Sequence, residues 1–405
     1  MMVRAHSLLY SIYICLIISI ICAAMLYFSN LYNQLNLFYN RHEEMYIHNQ
    51  SSVNYALASN LANGDIPEIE EGAVRGDFKS YQFGAVAIGI TTSYTENDTV
   101  SSVHFFGAYG RDEFAICLSN FSKPLAYSGT LKIIGDNKLP DLGVSGKIIE
   151  GLKNEIQMSG KNYLNESGLP EINESYERMY DNYTGPKISL SKSEKSGDSA
   201  YFNSFLNPTK QIALEGTLLS GVTCKGNVII RAKDSMLVRK SAVLDDVILI
   251  APKITFEEGF SGNVQAYATT GIDVFDGIVL RYPSVLCVYN NSSGESKIRI
   301  GRNCKISGAL VLFGNSLGNV EKNSIEVLEG GLLQGDIYCA GKLMLKSDVY
   351  GTVYTNRFFY KTASSSYDNL LAEIEINVKK RPPYFIPIML FTKNSERHGI
   401  IKRVF

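Results

Sequence analysis

A chain of 405 residues, 45% hydrophobic and 20% charged, is long enough for two or three folding units and too apolar for wholesale disorder. Its formal charge of -1 supplies no basic field to hold phosphates, which argues against nucleic acid as a partner. With 25 Tyr, 34 Gly and no Trp, the composition suits strands and frequent turns better than a helical enzyme.

From Leu8 to Phe28 the chain reads LLYSIYICLIISIICAAMLYF, with no charge between Arg4 and Arg41. As a helix rising about 1.5 Å per residue, this run spans roughly 30 Å, the thickness of a bilayer core. The spacing predicts a transmembrane helix with a cytoplasmic tip over residues 1–28, in contact with membrane lipid through residues 8–28. Arg4 and the α-amino group on the short side place the N-terminus inside, so the bulk is expected outside the cytoplasm, periplasmic or cell-surface in a bacterium. Cys22-Ala23-Ala24 also fits a signal-peptidase site, and cleavage there is the competing reading.

The same run resembles the N-terminus of prepilin-like proteins, in which an apolar helix anchors the subunit and packs into a filament. That family carries a carboxylate five residues into the mature chain. Counting from His6 after Ala5, this chain has Tyr10 there.

Residues 29–71 form a stalk or connector. Leu31, Leu35, Leu37 and Phe38, then Tyr46, Ile47, Val53, Ala56, Leu57 and Leu61, fit either a helix leaving the membrane or a loose segment, before the acidic hinge Asp65-Ile66-Pro67-Glu68-Ile69-Glu70-Glu71. Over 72–160 the period changes to two: Val86, Ile88 and Ile90, then Val103 and Phe105, then Phe114, Ile116 and Leu118, predict a small antiparallel β-rich head. Residues 161–215, rich in Asn, Glu, Ser and Lys with Pro170, Pro186 and Pro208, read as a polar linker or insertion.

From 216 to 362 a pattern recurs six times. A short apolar-x-apolar strand precedes a small or turn residue and then a longer strand. Met236-Leu237-Val238 leads to Asp246-Val247-Ile248, Ile254-Thr255-Phe256 to Gly262-Asn263-Val264, and Ile272-Asp273-Val274 to Ser284-Val285-Leu286. Ile298-Arg299-Ile300 leads to Gly308-Ala309-Leu310, Ile325-Glu326-Val327 to Gly335-Asp336-Ile337, and Leu343-Met344-Leu345 to Gly351-Thr352-Val353. One such pass exposes an apolar face that only a neighbouring pass can cover, so the passes stack as a parallel β-helix with aliphatic side chains inside and glycines at the corners. The final passes, GLLQGDIYCAGKLMLKSDVYGTVYTNRF from Gly331 to Phe358, resemble bactofilin-like polymer-forming proteins, which implies a parallel β-helix and end-to-end self-association.

Residues 363–405 complete the chain. Leu370, Leu371, Ile374 and Ile376 within Ser365–Asn377 predict a short amphipathic capping helix over the open solenoid end. The apolar stretch Tyr384–Phe391 is expected to pack on the solenoid flank, with a docking strand for a partner as the alternative.

Chemistry is sparse. The histidines His6, His42, His48, His104 and His398 are scattered, no Gly-rich loop precedes a lysine for phosphate, and no cysteine pair has C-x-x-C spacing, so neither a cofactor nor a metal is expected. Cys117, Cys224, Cys287, Cys304 and Cys339 read as buried reduced thiols, or as containing one bridge. Asp245, Asp246, Asp273, Asp276 and Asp336 are the glycan-face candidates: either solvated turn residues or carboxylates aligned for acid–base cleavage of a polysaccharide. Sequons stand at Asn49, Asn97, Asn120, Asn165, Asn173, Asn182, Asn290 and Asn291.

The expected protein is mainly β: an N-terminal transmembrane α-helix, a small β-rich head and a C-terminal parallel β-solenoid with a short capping helix. Its expected function is non-enzymatic, an envelope scaffold for protein, glycan or self-association. The alternatives are a membrane-tethered polysaccharide lyase or hydrolase and a pilin-like assembly accessory.

Overall fold

The computed structural model describes residues 3–60, 63–66, 74–109, 114–149, 151–165, 168–180, 187–190, 199–314, 320–383, 385–388, 390–391 and 397–404. The chain divides into two compact units, Met1–Lys79 with Ile90–Ser102, and Ser80–Gly89 with Val103–Phe405. Most of the described residues are strand, as the sequence predicts.

The first unit is built on helix α1 (Val3–Ala58). No Gly or Pro interrupts these 56 residues, so the backbone ladder runs unbroken for about 84 Å. Of the two readings of the segment after residue 28, the helical one holds as far as Ala58. Asn60, with φ 56°, takes the left-handed conformation just past the end. Residues 67–71 of the acidic hinge lie outside the described residues.

The two halves of α1 differ. In the apolar half every residue from Ser7 to Phe28 is exposed, Leu26 at 73%. In the other half Met45, Asn49, Ser52, Val53 and Ala56 form one buried stripe at helical spacing. Strand β1 (Gly64–Ile66) pairs antiparallel with the start of β2 (Arg75–Phe83), and β3 (Val86–Tyr94) and β4 (Thr99–Tyr109) follow in the same antiparallel sheet. Asn49 joins helix to strands: its amide nitrogen donates to the Thr91 carbonyl at 2.9 Å and the Val100 carbonyl at 3.3 Å, and its oxygen accepts from Ser102 Oγ at 2.6 Å. His48 Nδ1 lies 2.9 Å from Ser93 Oγ, and Gly76 leaves the space its imidazole occupies.

The second unit is the solenoid. Ile212, Ile230, Leu249, Ala266, Leu286, Leu310, Ile337 and Val353 are successive partners in register, one per coil, and all are buried. A second column runs through the short strands: Leu219, Val238, Phe256, Val274, Ile300, Val327 and Leu345. Each buried aliphatic contributes about 1.5–3 kcal/mol through removal from water, so stacking is the source of stability. Outward positions alternate with these and carry ion pairs such as Lys253–Asp273 at 2.9 Å. The six predicted passes are present as parallel strands.

The aliphatic column does not end at Val353. Its next partner is Ile116, in β5 (Phe114–Leu118), and β6 (Leu125–Ile134) pairs parallel with Leu370–Asn377. Residues 114–164 thus supply the coils beyond residue 377, Glu155–Ser159 pairing with β6 and Asn162–Leu164 with Asp136–Leu139. This corrects the expectation that Phe114, Ile116 and Leu118 belong to the antiparallel head: period-two alternation marks a strand but not its partner.

Two other expectations change. The polar stretch 161–215 contains strands Lys187–Leu190, Ser199–Asn203 and Lys210–Leu214, all paired parallel, and Ile212 lies in the core. A terminal coil has a neighbour on one side only, so its strands persist in a composition too polar for a central one. The predicted capping helix is strand: Ser366–Asp368 pairs antiparallel with Phe359–Lys361, and Leu370–Asn377 joins β6. A bulge between Ala372 and Ile374, with Glu373 at φ 49°, shifts the side-chain parity, so Leu371, Ile374 and Ile376 all face the core. That shift makes a strand imitate helical spacing.

Candidate functional site

The five aspartates do not converge. Asp245 stands opposite Lys225 and Asn263 on the neighbouring coils. Asp246, at φ 58°, accepts from Asn263 Nδ2 at 2.8 Å and from Lys402 Nζ, whose nitrogen is 2.6 Å from Oδ2. Burial raises the Asp246 pKa, and the ammonium opposes that shift. Asp273 pairs with Lys253 on the short-strand face, and Asp276 in the following turn accepts from the Arg302 backbone N–H at 2.7 Å. Asp336 pairs with Arg381 and accepts from the Thr352 backbone N–H at 3.1 Å. Asp246 and Asp336 are four strands apart, about 19 Å at ordinary strand spacing, against roughly 5–10 Å for a glycosidic acid–base pair.

Their cations come from the C-terminal tail, which the sequence assigned no electrostatic role. Lys402 lies in Arg397–Arg403, a strand pairing antiparallel with the second half of β4. Arg381 follows the 3-10 turn Val378–Lys380. Between them Ile386, Ile388 and Leu390 are buried, and Tyr282 donates to the Ile386 carbonyl, so the described part of the apolar tail packs on the solenoid. Residues 384 and 389 lie outside the described residues.

The outer face of the long strands is aromatic and covered. Tyr180, just past the short helix Ser175–Arg178, donates to the Cys287 carbonyl at 3.1 Å, with Tyr267 and Tyr289 rings 6.0 Å and 5.4 Å away. Burial pushes the hydroxyls of Tyr176, Tyr180, Tyr267 and Tyr282 well above the usual tyrosine range. The turn at Gly84 and Ala85 docks on the same face: Gln265 accepts from the Ala85 N–H at 2.7 Å and donates to the Phe83 carbonyl at 3.1 Å. Cys117, Cys224, Cys287, Cys304 and Cys339 are buried free thiols; desolvation lifts Cys117 to about 11 and Cys224, Cys287 and Cys339 to about 12. Of the sequons, Asn49, Asn165 and Asn290 are buried, whereas Asn97, Asn120 and Asn291 are exposed.

Beside Tyr180 a groove of about 480 Å³ crosses the corners where four long strands end. Ile212, Ala213, Leu214, Ala232, Ala251 and Pro252 form apolar wall. Gln211, Arg231, Lys233, Thr269 and Asn291 are its polar lining, with no carboxylate lining it among the described residues. Half-burial of the Arg231 guanidinium pulls its pKa down. None of the five aspartates lines this groove, and its cations sit outside the apolar pattern by which the repeat was recognised. Among the described residues no cluster of His, Cys, Asp and Glu could hold a metal ion.

Among the described residues one helix is long and apolar enough to cross a membrane. No family model and no curated protein matches the chain, and the bactofilin-like resemblance of residues 331–358 is not shown by any comparison. Among solved structures the chain is similar to the competence-associated pilin ComZ from Thermus thermophilus, at 9% identity over 85% of this chain and 86% of that one, with a TM-score of 0.23. A likeness of that size carries no weight for fold or function.

Proposed function

We propose that this chain is a single-pass, membrane-anchored envelope protein whose β-solenoid is a non-catalytic display surface. The observation that carries the reading is the division of α1: an apolar half with no buried residue continues, without Gly or Pro, into a half seated on antiparallel strands through Asn49. An apolar helical stretch of this length is stable in hydrocarbon because every backbone group is satisfied internally. Arg4 before the span, against no Lys or Arg over residues 29–40 after it, favours an N-inside orientation. A pilin-like subunit is the second reading, favoured by the same union of a bare apolar half-helix with a sheet-packed half. Tyr10, in place of the carboxylate, departs from that family.

Carbonate extraction of membranes carrying the full chain, followed by N-terminal sequencing and protease accessibility, tests this. Retention in the pellet with an uncut N-terminus and an externally accessible solenoid supports the anchored scaffold. A start at His6 supports the pilin-like reading. Release into the supernatant, or a start near Ala23, overturns anchoring.

A further inference from the structure

We propose that the groove beside Tyr180 binds a short carboxylated oligosaccharide. The inference rests on the reading of the solenoid as a display surface and names what the surface displays itself to.

Charge is the first argument. Among the described residues the groove is lined by no carboxylate, and Lys233 places a cation at its rim, so an anion is favoured and a cation is not. Lys233 is exposed and has no ion pair among the described residues.

The second is an unused amide. Gln211 is only 5% exposed, lines the groove, and makes no side-chain hydrogen bond among the described residues. Its amide is therefore available to hydrogen-bond a ligand hydroxyl. Thr269 and Asn291 add further hydrogen-bonding side chains on other coils.

The third is shape. The volume falls within the ~300–1,000 Å³ of small-molecule sites. Tyr180 is held by its bond to Cys287 and by two neighbouring rings, giving a rigid aromatic wall above apolar Ala251 and Pro252. A sugar matches this mixture of an apolar ring face with hydroxyls and a carboxylate at its edge. An extended acidic peptide matches it less well, because backbone groups at this corner are already bonded inside the solenoid: Ala251 N–H to the Tyr267 carbonyl, and the Thr269 and Thr270 N–H groups to the Pro252 carbonyl. These bonds leave a peptide no backbone partner at Ala251, Thr269 or Thr270.

The test uses the full chain in lipid nanodiscs and calorimetric titration with tetragalacturonate, its uncharged methyl ester and tetraglutamate. Saturable binding of tetragalacturonate is expected, weakened at least tenfold by esterification and at least tenfold by Lys233→Glu or Gln211→Leu, with melting temperature unchanged in either variant. Equal binding of the ester, indifference to both substitutions, or tighter binding of tetraglutamate overturns the proposal. So does no binding by a chain that extraction shows to be membrane-integral, in which case anchoring stands alone. Binding by a chain that carbonate releases would keep the ligand and remove the anchor.

Discussion

His104 lies in β4 opposite Arg403, is 3% exposed, and its Nδ1 has no partner among the described residues. Burial, with the Arg403 charge second, depresses its pKa to about 4. The unfolded chain therefore binds a proton below pH 6.5 that the folded chain refuses, and stability falls as pH drops from 6.5 toward 4. The loss approaches roughly 3 kcal/mol at the lower limit, with no contribution from this residue above about pH 7. Denaturant titration of the full chain between pH 4 and 8 should show this slope and its removal in His104→Phe; an unchanged slope would refute the assignment. Glycine matters at one column, where Gly308 and Gly335 adopt φ 145° and 130°, and a Cβ on either, or on Gly351, would strike a backbone carbonyl oxygen of the preceding coil.

Among elements, Asn49 is the buried hydrogen-bonding side chain that ties α1 to its strands, beside the buried Met45, Val53 and Ala56 and the His48–Ser93 contact. Truncating Asn49 leaves the Ser102 hydroxyl and two strand carbonyls without their partner, at a cost of about 1–3 kcal/mol. In Asn49→Ala, hydrogen exchange should accelerate at residues 90–94 and 99–102 while the solenoid amides keep their protection; uniform protection everywhere would show that Asn49 is not the fastening. The helix was legible in the sequence because an apolar run without Gly or Pro has one stable form in lipid. Strand Leu370–Asn377 was not, because the bulge at Glu373 gives Leu370, Leu371, Ile374 and Ile376 a spacing that two different periods satisfy. The polar strands at 187–214 escaped notice for another reason: an outermost coil is stabilised by the coil it leans on rather than by its own composition.

Over the whole molecule, the decisive feature is that β5 and β6 complete the solenoid beyond residues 353–377, so segments more than two hundred positions apart in sequence are neighbours in one core. Cys117 is in register with Tyr354 on adjacent parallel strands, a Cα separation of about 4.8 Å that a disulfide can bridge. Tyr354→Cys, oxidised with diamide, should yield a peptide linking the two segments in non-reducing digestion; persistent free thiols at both positions would contradict this order of coils. By itself the sequence determined the membrane-length helix, the period of the coils and which aliphatic residues face inward, because these follow from local spacing and the hydrophobic effect. Only the tertiary structure decided that residues 114–164 close the solenoid, that Lys402 and Arg381 neutralise Asp246 and Asp336, and that Gln211, Arg231 and Lys233 share one groove. Such partners are set by the stacking of distant coils, and no spacing along the chain encodes them.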